Sequence, residues 1–464
     1  MLCSLRPYPE MKATDLPWLG DIPSHWDVRR NGRLFGPRRE TGFPDLPILE
    51  VSIRIGVRIR DFDNGGRKQE MADRSKYQRA ARGDIAYNMM RMWQGAVGIA
   101  PTDGLVSPAY VVARPFEETD SAYYAYLFRT AAYMREIEVF SRGIVPDRNR
   151  LYWESFKQMA SVYPPLDEQH LIVRFLDWHG MQTANLIRTK KKLITLLNEQ
   201  KQAIIHRAIT RGLDPNVQLK ASGVPWLGDV PEKWDLMKLG ALFRLRGSGT
   251  TPSGDAYYGG SIPWVMSGDL KDGVIATTKR TVTDQALKDI SALRLFPAGS
   301  LVVAMYGATI GKSGILAMDA CTNQACCVLA LPKPIVDVAY LQMFVNLARP
   351  CLVEKSYGGG QPNVNAEIVR SLRVSVPPIH EQKQILAAVE NSDERHAIDL
   401  AVREIALIQE FRTRLIADVV TGKLDVRAAA TAMPELSDIA IFAESPDNED
   451  EESIEASDDE EIAV

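Results

Sequence analysis

The stretch 164–214 constrains this chain more than any other. No proline interrupts it between Pro165 and Pro215. Leu171, Ile172, Phe175, Leu176, Ile187, Ile194, Leu197, Ile204, Ile205 and Ala208 recur at intervals of three and four, the spacing of one helix face. Asp167 is placed to cap the start, and Gly212 followed by Pro215 is a stop signal. Such a helix reaches roughly 65 Å at 1.5 Å per residue. That is too long for the core of one small domain, so the stretch reads as a spacer or arm.

The arm is repeated. Pro164-Pro165-Leu166-Asp167-Glu168-Gln169 returns as Pro377-Pro378-Ile379-His380-Glu381-Gln382, and this second arm is expected to run unbroken to Thr421-Gly422. A sharper repeat precedes each arm. Pro17-Trp18-Leu19-Gly20-Asp21-Ile22-Pro23, with Trp26-Asp27, returns as Pro225-Trp226-Leu227-Gly228-Asp229-Val230-Pro231, with Trp234-Asp235. One unit, globular part then arm, is therefore used twice. Two amphipathic arms bury their stripes most cheaply against each other, as a coiled-coil pair.

The repeats divide the chain into a first globular domain (1–165), a central helix (166–212), a second globular domain (213–376), a distal helix (377–427) and a tail (428–464). In the first domain, 46–59 reads as strand cut by Gly56. Residues 85–90 and 106–113 read as further strands, and 121–140 as a single helix. The second domain offers strands at 262–266, 300–306 and 326–331 and a helix at 337–349. The fold class is α+β, two mixed domains each followed by a long helix, with pseudo-twofold symmetry.

The net charge of −4 conceals a division. The tail 428–464 holds 13 Asp and Glu and neither Lys nor Arg, so the rest carries 55 basic against 46 acidic residues. A mildly basic body fits an anionic partner, and the acidic tail reads as disordered. No apolar run reaches membrane-spanning length, and the five cysteines lack metal-site spacing; both fit a cytoplasmic protein.

Catalytic motifs are absent from the sequence. Gly307-Ala308-Thr309-Ile310-Gly311-Lys312-Ser313 imitates a nucleotide-binding P-loop, but has three residues between its glycines where four are required. An ATPase centred on Lys312 remains an alternative, as does a coiled-coil scaffold without DNA. Glu199-Gln200-Lys201 and Glu381-Gln382-Lys383 imitate the end of a nuclease motif but fall on arm helices. Basic and polar side chains on loops are the remaining signal, because Arg, Asn and Gln pair bidentately with base edges. The candidates in the first domain are Arg38, Arg39, Arg54, Arg91, Trp93, Gln94, Tyr110, Arg142, Arg148 and Arg150. In the second they are Arg246, Tyr306, Lys312, Asn323, Gln324, Gln361, Asn363 and Asn365.

Taken together, the tryptophan repeat, Pro-Pro-x-x-Glu-Gln at both arm starts, and Glu199-Gln200-Lys201-Gln202-Ala203-Ile204-Ile205 with Thr210-Arg211-Gly212-Leu213 resemble the specificity subunit of a type I restriction-modification system. Gly268-Asp269 and Thr322-Asn323-Gln324 in the second domain, and Arg82-Gly83-Asp84 with Val106-Ser107-Pro108-Ala109-Tyr110 in the first, fit two varieties of that family's domain. The resemblance covers about 1–425; the acidic tail departs from it. It implies a non-catalytic, sequence-specific subunit with two target-recognition domains, each reading one half of a bipartite site in double-stranded DNA. It implies that the two arms pair as an antiparallel coiled coil, hold the domains apart and dock two methyltransferase subunits, with motor-nuclease subunits joining for cleavage. No cofactor is expected on this chain; S-adenosylmethionine, ATP and Mg are expected on the partners. No metal site and no membrane are expected.

Overall fold

In the computed structural model, residues 5–60, 74–142, 149–358 and 362–434 are described. The chain divides into two units, one of 1–189 with 405–464 and one of 190–404. Each unit thus takes one globular domain and part of both arms.

The central arm is one helix, Leu166–Arg211, of 46 residues. The distal arm departs from the expected single helix. It is built as Ile379–Glu390 and Asp393–Val420, interrupted at Asn391-Ser392. Asn, Ser and Asp in succession bond to nearby backbone outside helical geometry, which favours a break. In the first unit, Ile172, Phe175 and Leu176 from the start of the central helix share a core with Leu415 and Val419 from the end of the distal arm. In the second, Lys190 pairs with Glu404 at 2.5 Å, Gln200 donates to Glu394 at 2.9 Å, and Ala208 and Ile209 pack with Ile385. The arms therefore run antiparallel along their paired faces.

Each domain is centred on an antiparallel sheet. In the first the strand order is Phe35–Arg38, Tyr110–Pro115, Ile85–Asn88, Val97–Ile99. In the second it is Phe243–Ser248, Cys326–Pro332, Leu301–Ala304, Ser313–Leu316, and then Gly273–Ile275 added in parallel. The first four strands of each sheet share one order. Left-handed glycines fall at matching points of the two frames, Gly83 (φ 89°) with Gly299 (φ 81°) and Gly95 (φ 94°) with Gly311 (φ 74°). Two expected elements of the first domain are interrupted. The strand at 106–113 turns at Ser107–Ala109, where Tyr110 N–H bonds back to the Ser107 carbonyl. The helix at 121–140 is two, Ser121–Phe128 and Ala131–Phe140, because the Thr130 hydroxyl caps the second by accepting from Tyr133 N–H.

One glutamine per arm joins domain to helix in the same way in both units. Gln169 is fully buried; its Oε1 accepts from Asp120 N–H at 2.9 Å, and its Nε2 donates to the Pro164 and Glu118 carbonyls at 2.8 and 3.3 Å. Gln382 is equally buried and repeats this with Asp337 N–H, Pro377 and Ile335, at 2.8, 2.7 and 2.8 Å. Asp120 and Asp337 each cap the adjoining helix, through Ala122 and Ala339 N–H. From those helices Tyr123 donates to the Val420 carbonyl and Tyr340 to the Ile209 carbonyl, at the far ends of the arms. The closing glycines Gly422 (φ 77°) and Gly212 (φ 76°) lie against Trp26 and Trp234. A Cβ at Gly422 would come within 2.4 Å of Pro23.

Gln169→Ala or Gln382→Ala leaves buried backbone groups without partners. Each is expected to cost about 2–4 kcal/mol, three such groups at roughly 1–3 kcal/mol each, reduced by relaxation and by water reaching the carbonyls of the exposed residues Glu118 and Ile335. Chemical denaturation of the single variants checks this; a loss below 0.5 kcal/mol, on the order of a neutral surface change, would show the joint to be dispensable.

Candidate nucleic-acid interface

Three loop stretches meet at one end of the first domain's sheet: 88–96, 107–110, and Arg142 with 149–152. Met89 N–H bonds to the Ala109 carbonyl (3.4 Å), Leu151 N–H bonds to the Met89 carbonyl (2.8 Å), and Arg142 and Arg150 bridge each other through their backbones. The second domain repeats the frame. Met305 N–H bonds to the Ala325 carbonyl (2.8 Å), Val364 N–H to the Met305 carbonyl (2.9 Å), and Tyr357 bridges Asn363. The bonds are between backbone atoms, so the loop side chains can differ between the domains, and they do.

In the first domain this frame gathers Arg91, Trp93, Gln94, Tyr110, Arg142 and Arg150. Gln94 and Arg142 are exposed. Trp93 is half-buried and serves the loop itself, its indole donating to the Met90 carbonyl at 2.9 Å. Arg54 stands apart, in the turn of the hairpin Leu49–Ser52 and Gly56–Ile59, where Arg129 donates to its carbonyl at 2.6 Å. Arg38 has a structural occupation: its side chain is 13% exposed and meets Asp84 at 2.5 Å and Glu40 at 2.7 Å. Arg38 and then Arg79 hold the Glu40 carboxyl below the usual carboxylate range. Arg39, one residue on, is exposed. Arg148 lies outside the described residues.

In the second domain Tyr306, Lys312, Asn323, Gln324 and Asn363 come together. Tyr306 is 40% exposed and bridges Asn363 through the backbone. Gln324 is exposed, its Oε1 accepting from the Thr251 hydroxyl at 2.6 Å. Asn365 is spent on structure, its side chain capping the helix Ala366–Ser371 through Ile368 N–H at 2.8 Å. Arg246 lies on the strand Phe243–Ser248 rather than a loop. Gln361 lies outside the described residues. Sequence reasoning missed Thr251 and Tyr357, the latter 54% exposed beside the frame.

The P-loop reading fails on geometry. Ser313 opens the strand Ser313–Leu316 instead of a helix, is fully buried, and donates its hydroxyl to Asn346 at 2.6 Å. Gly311 occupies the same turn as Gly95, so the glycines shape a β-connection and no phosphate cradle forms. Among the described residues no group of His, Cys, Asp and Glu could hold a metal ion, and no helix is long and apolar enough to cross a membrane.

Comparison with known proteins agrees with this architecture. Residues 231–409 match the family model for the type I restriction modification DNA specificity domain. The putative type I restriction enzyme MjaX specificity subunit of Methanocaldococcus jannaschii is 22% identical over 430 residues, spanning 88% of this chain and 96% of that protein. By these matches the chain is similar to type I restriction-modification specificity subunits, and the matched specificity domain falls in its second globular part and the distal arm that follows. The type I restriction enzyme MjaIX specificity subunit of the same organism is 29% identical over 175 residues, 36% of this chain and 40% of its own. A chain from a solved structure on complex assembly and conformational transition of the type I R-M system superposes with a TM-score of 0.61 at 13% identity. It covers 86% of this chain and 98% of the other, and supports the fold.

The two adjacent arginines are expected to separate on mutation. Arg38→Ala strands the buried Asp84 carboxylate and should cost roughly 3 kcal/mol of stability. Arg39→Ala should stay within about 0.5 kcal/mol. Thermal unfolding of both variants reads the difference; equal effects would count against the structural assignment of Arg38.

Proposed function

We propose that this chain is the DNA-reading subunit of a type I restriction-modification complex, with domains 1–165 and 213–376 each recognising one half of a bipartite double-stranded site. The observation that carries this is one backbone frame used twice with unlike loops: common scaffolding, different side chains presented. Arg39, Arg91, Gln94, Arg142 and Arg150 are the base- or phosphate-contacting set of the first domain. Tyr306, Lys312, Asn323, Gln324 and Asn363 are that of the second. The helices of 166–212 and 377–427 are spacer and docking surface for two methyltransferase subunits, which modify adenine; motor-nuclease subunits join for cleavage. S-adenosylmethionine, ATP and Mg belong to those partners, and the complex works in the cytoplasm.

Methylome sequencing of cells carrying this chain with its methyltransferase partner gives the site. Exchanging residues 244–376 for the equivalent domain of a relative should alter one half of that site and leave the other unchanged. Alteration of both halves would overturn independent reading.

The continuous central helix also sets a distance. Four residues inserted after Lys192 add about 6 Å and rotate the downstream half of the helix by roughly 40°. Duplex DNA rises about 34 Å per ten base pairs. Methylation mapping of the inserted variant should show both half-sites retained and the gap between them longer by one or two base pairs, on the order of 6 Å. An active variant with an unchanged gap would leave the helix as docking surface only.

A further inference from the structure

Beside the loop frame of the first domain lies a cleft of about 460 Å³, lined among others by Arg39, Lys76, Gln78, Tyr110, Tyr152 and Trp153. Its composition, cationic and amide groups among aromatic rings, suits a nucleic-acid strand. Gln78 is fixed there, its amide donating to the Tyr110 carbonyl at 3.3 Å.

Tyr152 is the anomaly in this cleft. It comes directly after Arg150 and Leu151 of the frame and occupies the N-cap of the short helix Trp153–Phe156, without a side-chain capping bond. The matching position of the second domain comes directly after Val364 and holds Asn365, whose side chain makes that bond. Asn is among the preferred N-cap residues and an aromatic is not. Tyrosine at this place therefore forfeits a cap. Nor does it recover the loss by burial, since it is 43% exposed. A local rule broken without a packing return marks a residue held for function.

We infer that Tyr152 is a specificity-determining residue of the first domain, contacting a base of the DNA half-site while the strand's backbone passes over the cleft beside Arg39. This rests on the DNA-reading function proposed above. The ring supplies an apolar face for a thymine methyl or a sugar, and the hydroxyl can donate to or accept from a base edge. Trp153 and Gln78 line the same cleft. Glu154 also lines the cleft, but its carboxylate is paired with Lys157, which limits its repulsion of phosphate.

The test compares Tyr152→Asn and Tyr152→Phe with the parent, as full chains assembled with the methyltransferase partner. Thermal unfolding is measured beside affinity for a duplex carrying the mapped site and for a duplex without it. Tyr152→Asn restores a cap, so its melting temperature should equal or exceed the parent's. Its affinity for the site should nevertheless fall by roughly tenfold or more, with affinity for the other duplex unchanged. Tyr152→Phe keeps the ring, and should keep stability and lose a smaller factor. Undiminished site affinity in Tyr152→Asn overturns the inference while leaving the DNA-reading function standing. So does an equal loss on both duplexes, which would mean a backbone contact. A parent complex with no preference for any sequence would instead overturn the function itself.

Discussion

The arrangement of this protein depends on a buried glutamine amide at the first turn of each arm. Gln169 and Gln382 each satisfy a donor and two acceptors of loop backbone that would otherwise be buried unpaired. Losing such a partner costs more than an ordinary hydrogen bond contributes, because the orphaned group has already left water. The glutamine therefore ties the direction of a long helix to the loop that starts its domain's first helix. At the arm ends, a tyrosine hydroxyl on a carbonyl and a glycine beneath a tryptophan complete the attachment. The adjoining glutamates differ. Glu381 accepts from the Trp234 indole at 3.1 Å, whereas Glu168 takes Tyr8 and His25, at 2.5 and 2.8 Å, and the Trp26 indole N–H is buried without a partner. One scaffold thus tolerates two polar arrangements beside the buried glutamine.

Backbone pairing explains how the scaffold is kept while the recognition surface diverges. The contacts that gather the loops, Met89 with Ala109 and Leu151, Met305 with Ala325 and Val364, involve no side-chain atoms. Among the described residues side-chain identity is constrained where φ is positive, at Gly95 and Gly311, and where a side chain is recruited to hold the frame, as Asn88, Trp93, Ser107 and Asn365 are. The remaining positions are open to whatever the target requires. The same logic explains why a count of arginines overstates a binding surface. Arg38 resembles Arg39 in sequence, yet one neutralises a buried carboxylate and the other faces solvent.

The sequence by itself determined the duplication, the two arms and the α+β class. These rest on signals that local chemistry writes directly: a proline-free stripe of period 3.6, proline pairs at helix starts, glycine at helix ends, and tryptophans repeated at one offset. It also marked loops at 91–94, 306–312 and 323–324 that the structure places at the sheet ends. Tertiary structure decided where elements break and what each polar side chain does. The Thr130 cap splits a helix that periodicity alone joins, and the Asn391-Ser392 interruption divides the distal arm. Ser313 is a buried strand residue and not a phosphate ligand, because the chain after it extends instead of coiling. Arg38 and Asn365 are occupied by partners 46 and 3 residues away, Asp84 and Ile368. The Asn365 cap is a local one, whereas the Arg38 partner is brought within hydrogen-bond range by packing across the whole domain, which no local pattern encodes.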